Sequence, residues 1–463
     1  MALSFTVGLI VLLLIQLPVV ESSFIGDPDR SMMTSAFRLR SDVIGGSADP
    51  VLLLDFDDRS LSEMAQGPFE PPIGGMPRVA VAQLLDFIRG APPAQRPRVV
   101  VLDVDIAQQA ADGPEGVARL RDALNAWDKA GAPPLVISRQ SFSAALFGRP
   151  GGVPVLPVSP YDDLVQRSQN IFWGTPKVYG DLNGVIGEFA PFECVATPTG
   201  VTPLFSVALI AYQFAERDSQ VLDRAGAKHW MQDAVTGCRA KPLSPPQHGE
   251  TIDYHFSLPV GSTDRVWPNV SSKWPGFKTC GDTSAAIMRR LSVIDVVNAL
   301  RASDGAASHE MLCQRVVMIG GTNASSADFV QTPLNDMNGS VVLANAIRGL
   351  ELSHGGLRAI PLLFQMALLL LICIAFTASD LASDRFKEQY RRLRRHRALL
   401  SWRERLVYIL LNPICLNTAI AASAHLLGIG LMLGTLNLGL WGFVSAPAFA
   451  VAISETIQEF LNA

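Results

Sequence analysis

Residues 360–379, IPLLFQMALLLLICIAFTAS, run for 20 residues without a charge. A helix of about 20 residues rises about 30 Å, enough to cross the hydrocarbon core of a bilayer. This stretch constrains the chain strongly, because backbone polar groups in lipid must be satisfied inside a helix or a closed barrel. Three further apolar stretches accompany it, at 5–20, 406–434 and 436–453. The last two read as a helical hairpin, with Asn412–Pro413 dividing the first of them. About four membrane-spanning helices are therefore expected. Composition agrees: hydrophobic residues make up 49% and charged ones 17%, and mean hydropathy is +0.26.

Charge sets the orientation. The segment RFKEQYRRLRRHRALLSWRER (385–405) holds nine Lys/Arg against two acids, Glu388 and Glu404. By the positive-inside rule this loop, part of 380–405, faces the cytoplasm. Residues 21–359 then lie on the extracytoplasmic side. Residues 1–22 read as an uncleaved anchor, with a cleaved signal peptide as the alternative. The net charge of −4 and the lack of a basic cluster in the soluble part argue against nucleic acid as a partner. Cys194, Cys238, Cys280 and Cys313 fall in the oxidising compartment, where disulfides persist. Of the possible pairings, Cys238 with Cys280 is expected, since both lie in a loop-rich stretch that needs a staple. No C-x-x-C spacing points to a metal, and neither a metal nor a cofactor is expected.

The outer region alternates strand and helix. VLLLDFD (51–57), RVVVLDVDI (98–106), PPLVISR (133–139) and RVVMIGG (315–321) are apolar without alternation, as strands covered on both faces are. Between them RVAVAQLLDFIRG (78–90) and PEGVARLRDALNAWDKAG (114–131) have helical spacing, as do 203–216, 290–303 and 339–352. Asn183–Gly184 marks a hairpin turn within 180–193, and 251–258 reads as a strand. The fold class is α/β: a mostly parallel sheet covered by helices.

Two of these strands end in carboxylates, Asp55 and Asp57 on one and Asp103 and Asp105 on the other. Ligands of parallel sheets bind outside such C-terminal ends. A hydrophobic strand ending in Asp-x-Asp is also how haloacid-dehalogenase-type phosphatases begin their active site. The rest of that site is missing: no lysine opens a helix behind a strand, and no later acidic pair closes one. An enzyme is not expected, and no catalytic residue is assigned. VMIGGTNAS (317–325) lacks the spacing of a nucleotide-binding loop, and no G-x-S-x-G occurs.

Several stretches together resemble a known family. VLLLDFDDRSL is followed by Pro77–Arg78 opening a helix, then VVVLDVDI. The close, RVVMIGGTNASSADFVQTPLNDMNGSVVLANAI (315–347), carries Val-x-Ile-Gly, then Asp328, Thr332–Pro333, Gly339 and Ala344–Asn345. These are similar to the CHASE type-2 domain, an extracellular sensor module of bacterial transmembrane receptors. The resemblance covers about 45–355, with 217–285 as an insertion. It departs from the family pattern at PPIGGM (71–76), where a Trp-Pro-Trp is usual, and at Leu343, where a His often stands.

The resemblance implies a membrane-bound sensory receptor subunit, signalling as a homodimer, in the inner membrane of a bacterium with its main domain periplasmic. Such receptors usually continue into a cytoplasmic output domain, whereas here SETIQEFLNA (454–463) follows the last span. A separately encoded cytoplasmic signalling or effector protein is therefore the expected partner. A membrane scaffold whose outer domain binds other proteins is the alternative. The candidate ligand-binding residues are Asp55, Asp57, Arg78, Asp103, Asp105, Asp328 and Thr332. Each also has a structural reading: Asp57 or Asp58 capping a helix near Ser60, and Arg78 pairing with a strand-end carboxylate.

Overall fold

The four apolar runs form neighbouring parallel strands in a computed structural model of the chain. The structure describes residues 51–65, 77–104, 106, 113–129, 132–147, 152–180, 186–216, 238, 250–252, 288–301, 309, 312, 316–322, 329–332, 335–352, 358–359 and 440–441. The chain divides into two units, Ser41–Gly356 and Met1–Arg40 with Leu357–Ala463. In the latter, Arg358–Ala359 pairs in parallel with Leu440–Trp441. Among the described residues no helix is long and apolar enough to cross a membrane. The apolar stretches 5–20, 360–379, 406–434 and 436–453, the basic loop and the tail lie outside those residues, apart from the two short pairing segments.

Within Ser41–Gly356, β1 (Val51–Asp55) is followed by α1 (Asp58–Ala65) and α2 (Arg78–Gly90). Next come β2 (Val99–Leu102), α3 (Gly113–Lys129) and β3 (Leu135–Ser138). A short α4 (Asp162–Arg167) leads to β4 (Ile171–Gly174). Two antiparallel hairpins follow, β5 (Val178–Gly180) with β6 (Ile186–Phe189), and β7 (Phe192–Thr197) with β8 (Gly200–Phe205). Then come α5 (Val207–Glu216) and β9 (Glu250–Thr251), which adds to β6. The closing part is β10 (Met288–Ser292), α6 (Val293–Arg301), β11 (Val316–Gly320), the hairpin β12 (Phe329–Thr332) with β13 (Asn335–Asn338), and α7 (Gly339–Leu352).

The central sheet has six parallel strands in the order β10-β1-β11-β2-β3-β4. All residues of β1, β2, β3 and β11 are buried, as expected of strands covered on both faces. Alternate residues go to opposite faces. Leu52, Leu54, Val100, Leu102, Leu135, Ile137, Val317 and Ile319 join one core with Leu84, Leu85 and Ile88 of α2 and Leu120, Leu124 and Trp127 of α3. α5 covers β2, β3 and β4 on the sheet and packs against α7, which lies on β11. Each fully buried Val or Leu contributes about 1.5–3 kcal/mol over its exposed state. Every residue of α7 from Ser340 to Glu351 is buried, including Arg348, whose Nη1 donates to Glu351 Oε2 at 2.8 Å.

The predicted helix 290–303 is instead an edge strand, β10, and then a helix from Val293. Arg289 and Arg290 interrupt the apolar pattern that marked the other strands, and edge strands carry such charges readily. The predicted helix 203–216 likewise begins as strand β8 and turns helical only at Val207. Asn183, Gly184, most of 251–258 and nearly all of 217–285 lie outside the described residues.

The disulfide differs from the expected one. Cys238 is joined to Cys194 on β7, with Cα atoms 5.5 Å apart, and not to Cys280, which lies outside the described residues. Composition and spacing favoured the loop-rich stretch for both partners; the fold brings one of them to a strand of a hairpin. The bridge closes a separation of 44 residues. Peptide mapping of unreduced protein is expected to recover Cys194 linked to Cys238. Replacing both by Ala is expected to lower stability by about 2–4 kcal/mol in urea unfolding. Recovery of a Cys238–Cys280 peptide instead would contradict this fold.

Candidate functional site

A row of three residues crosses the C-terminal end of the sheet: Asp55 closes β1, Gly320 closes β11, and Asp103 follows β2. Asp55 and Asp103 are therefore two strands apart, about 10 Å at ordinary strand spacing. Asp55 and Asp103 thus do not meet at one point, as adjacency of β1 and β2 would have allowed.

Asp55 is fully buried. Its Oδ1 accepts from the Thr322 amide at 2.8 Å and its Oδ2 from the Thr322 hydroxyl at 2.6 Å. Arg290 of β10 forms an ion pair with the same oxygen through Nε, and its Nη2 donates to Thr322 Oγ1 at 2.9 Å. Burial pushes the Asp55 carboxyl up, while the Arg290 charge and the Thr322 hydroxyl pull it down. Asp57 does a different job. Its Oδ1 accepts from the Ser60 amide at 2.7 Å and from the Ser292 hydroxyl at 3.0 Å. That is a side-chain cap on α1, one of the two structural readings anticipated above.

Asp103 is partly buried and bridges two other elements. Its Oδ1 accepts from Ser138 Oγ of β3 at 2.7 Å and its Oδ2 from Ser340 Oγ of α7 at 2.6 Å. Gly320 makes room for this. A Cβ there would stand 2.4 Å from Ser340 Oγ, a separation no real contact tolerates. Asn338 caps the helix, accepting from the Ser340 amide at 3.1 Å.

Beside Asp103 opens a cavity of about 330 Å³. Gln140 and Ser141 follow β3, Thr175 to Val178 lead from β4 into β5, and Gly339, Val342 and Leu343 belong to the first turns of α7; Val330 of β12 completes the wall. Lys177 forms an ion pair with Glu193 of β7, and Ser141 Oγ donates to the other oxygen of Glu193 at 2.7 Å.

The remaining candidates stand elsewhere. Arg78 opens α2 and donates through Nη2 to the Ile106 carbonyl at 3.0 Å. Thr332, buried, ends β12 opposite Asn335. Asp105 and Asp328 lie outside the described residues. Among the five described candidates, Asp103 alone lines the cavity. Sequence reasoning passed over Arg290, Thr322, Ser138, Ser340 and the Lys177–Glu193 pair. Their significance comes from contacts across the fold, such as the 235-residue separation between Arg290 and Asp55, and no local motif announces them. Among the described residues no three His, Cys, Asp or Glu side chains come together to hold a metal ion.

A parallel α/β sheet with a polar-and-apolar cavity at its C-terminal strand ends has the architecture in which small ligands are bound. Residues 6–379 match the CHASE2 domain, and the chain belongs to this family of extracellular sensor domains. No curated protein matches the chain. No solved structure matches it either.

Two changes test the site. Arg290→Met leaves a buried carboxylate without its cation and is expected to cost about 3 kcal/mol, much of it recovered when Asp55→Asn is added. Burial also holds the Asp103 carboxyl above the ordinary carboxylate value, against the hydroxyls of Ser340 and Ser138. The folded protein then binds that proton more tightly than the unfolded chain does. Its stabilising effect is full below the unfolded value and is lost as pH rises through the folded one. Urea unfolding from about pH 4 to about pH 7 is expected to show this decline, flattened in Asp103→Asn.

Proposed function

We propose that the protein is a membrane-bound sensory receptor subunit whose outer domain, about 45–355, detects a small extracytoplasmic ligand in the cavity beside Asp103. The observation that carries this reading is the makeup of the cavity wall: one side comes from the strand ends and the other from the first turns of α7. An occupant there touches both the fixed sheet and the helix that leads on to residues 360–379. Membership in the CHASE2 family supports the sensing role. The apolar stretches and the basic loop 385–405 support a periplasmic domain held in the inner membrane, with that loop on the cytoplasmic side. The signal then passes, in a homodimer, along 360–379 to a separately encoded cytoplasmic partner that engages the basic loop.

We read the domain as non-enzymatic. An aspartate nucleophile must reach its phosphoryl donor, whereas Asp55 is fully buried with both oxygens engaged and Asp57 caps α1. Purified protein is expected to show no steady hydrolysis of p-nitrophenyl phosphate above the Asp55→Asn background. Turnover abolished by that change would overturn the reading.

The relay is tested by cysteine crosslinking in native membranes, in a background lacking Cys373 and Cys415. Single cysteines along 360–376 are expected to crosslink between copies with a period of about 3.6 residues. Leu343→Phe, which fills the cavity from α7, is expected to shift that pattern. A monomer without crosslinks, or a pattern indifferent to the filled cavity, would sink the proposal.

A further inference from the structure

The same cavity also indicates the chemical class of its occupant, through its balance of hydrogen-bond donors and acceptors. Its carboxylate acceptors are engaged. Both oxygens of Asp103 take serine hydroxyls, from Ser138 and Ser340. Both oxygens of Glu193, which is buried beside the cavity, take Lys177 and Ser141. The donors retain capacity. An ammonium carries three hydrogens; Lys177 gives one to Glu193 and is 38% exposed. Thr175, buried in the wall, accepts the Lys177 amide on its Oγ1 at 3.2 Å, which leaves its hydroxyl hydrogen to give. Gln140 presents an exposed amide at the same cavity. Pro176, Val178, Val330, Val342 and Leu343 supply an apolar surface.

From this balance we infer that the cavity binds a small organic carboxylate with an apolar body, its carboxylate held by Lys177 and its body against Val178, Val330, Val342 and Leu343. The inference rests on the reading of this cavity as the sensor's ligand site. A carboxylate offers several acceptor positions to the unspent donors, and a charge-assisted bond to Lys177 is the strong kind. A cationic ligand would instead crowd Lys177 and find the carboxylates already taken. A ligand with no polar head would leave Lys177 partly desolvated without return. The volume of about 330 Å³ lies at the small end of ligand pockets and suits a single short chain or ring.

The experiment uses the full chain in mild detergent and five probes: hexanoate, benzoate, hexanamide, benzamide and hexylamine. Hexanoate and benzoate are expected to raise the melting temperature in a saturable manner, with the amides and the amine inert. Lys177→Met combined with Glu193→Gln removes both partners of the ion pair and so leaves no buried charge alone. It is expected to weaken the acids by about tenfold to a hundredfold, while Lys177→Arg retains binding. Acids that bind the double variant as tightly as the parent overturn the inference. So does equal binding of the amides or of hexylamine. If such binding is lost in Leu343→Phe, the ligand class is wrong and the cavity remains the site. Failure of both acids to bind also overturns the inference, and the crosslinking response to Leu343→Phe then decides separately whether the cavity acts in signalling.

Discussion

A carboxylate without solvent contact must be answered by donors, and Asp55 is answered from two elements remote in sequence. Arg290 lies 235 residues away and Thr322 lies 267 away. One stands on β10 and the other just past β11, and these two strands flank β1. The buried acid therefore ties together the three strands at one end of the sheet. An uncompensated charge there would cost several kcal/mol, comparable to much of a domain's net stability. Any arrangement that separates β10 or Thr322 from β1 is penalised accordingly. The remaining strand ends are then free to be shaped for other purposes.

Gly320 shows how that freedom is used. It sits between Asp55 and Asp103 in the row across the sheet, where a side chain would collide with Ser340. Its lack of a Cβ lets the start of α7 settle onto the strand ends, so that Ser340 reaches Asp103. VMIGGTNAS lacks the spacing of a nucleotide-binding loop. The role that the fold gives its Gly320 is to admit a helix.

The parts of the fold legible in sequence were those with a regular apolar pattern. α2 and α7 appear with the expected ends, Arg78–Gly90 and Gly339–Leu352, because both have uninterrupted apolar spacing and clear terminal residues. The buried strands were legible as short runs of Val, Leu and Ile. β10 was not, because its two arginines break the apolar run, and the Arg290–Asp55 ion pair that answers one of them joins residues remote in sequence. β4, IFWG, is a short edge strand with two half-buried residues and no flanking pattern to set it apart. At the site, the acidic strand ends marked where polar chemistry would lie. The direction of that chemistry, inward to Arg290 or outward to a cavity, depended on partners that spacing does not encode.

The two acids consequently differ in what they allow. Asp55 is sealed and paired on both oxygens, so it fixes β1 to its neighbours and offers nothing to a ligand. Asp103 is held by hydroxyls alone, one from the sheet and one from α7, and it lines a cavity. Hydrogen bonds of this neutral-donor kind are weaker to rearrange than an ion pair with a buried partner. A ligand shifts a conformational equilibrium only by the difference between its contacts in the two states. An occupant touching the sheet on one side and Gly339, Val342 and Leu343 on the other acts across the joint that the Ser340–Asp103 bond closes. On the proposed reading of the cavity, the rigid pairing at Asp55 matters for sensing as well as for stability. With the strands around β1 locked, the work done by a ligand in that cavity would fall on α7.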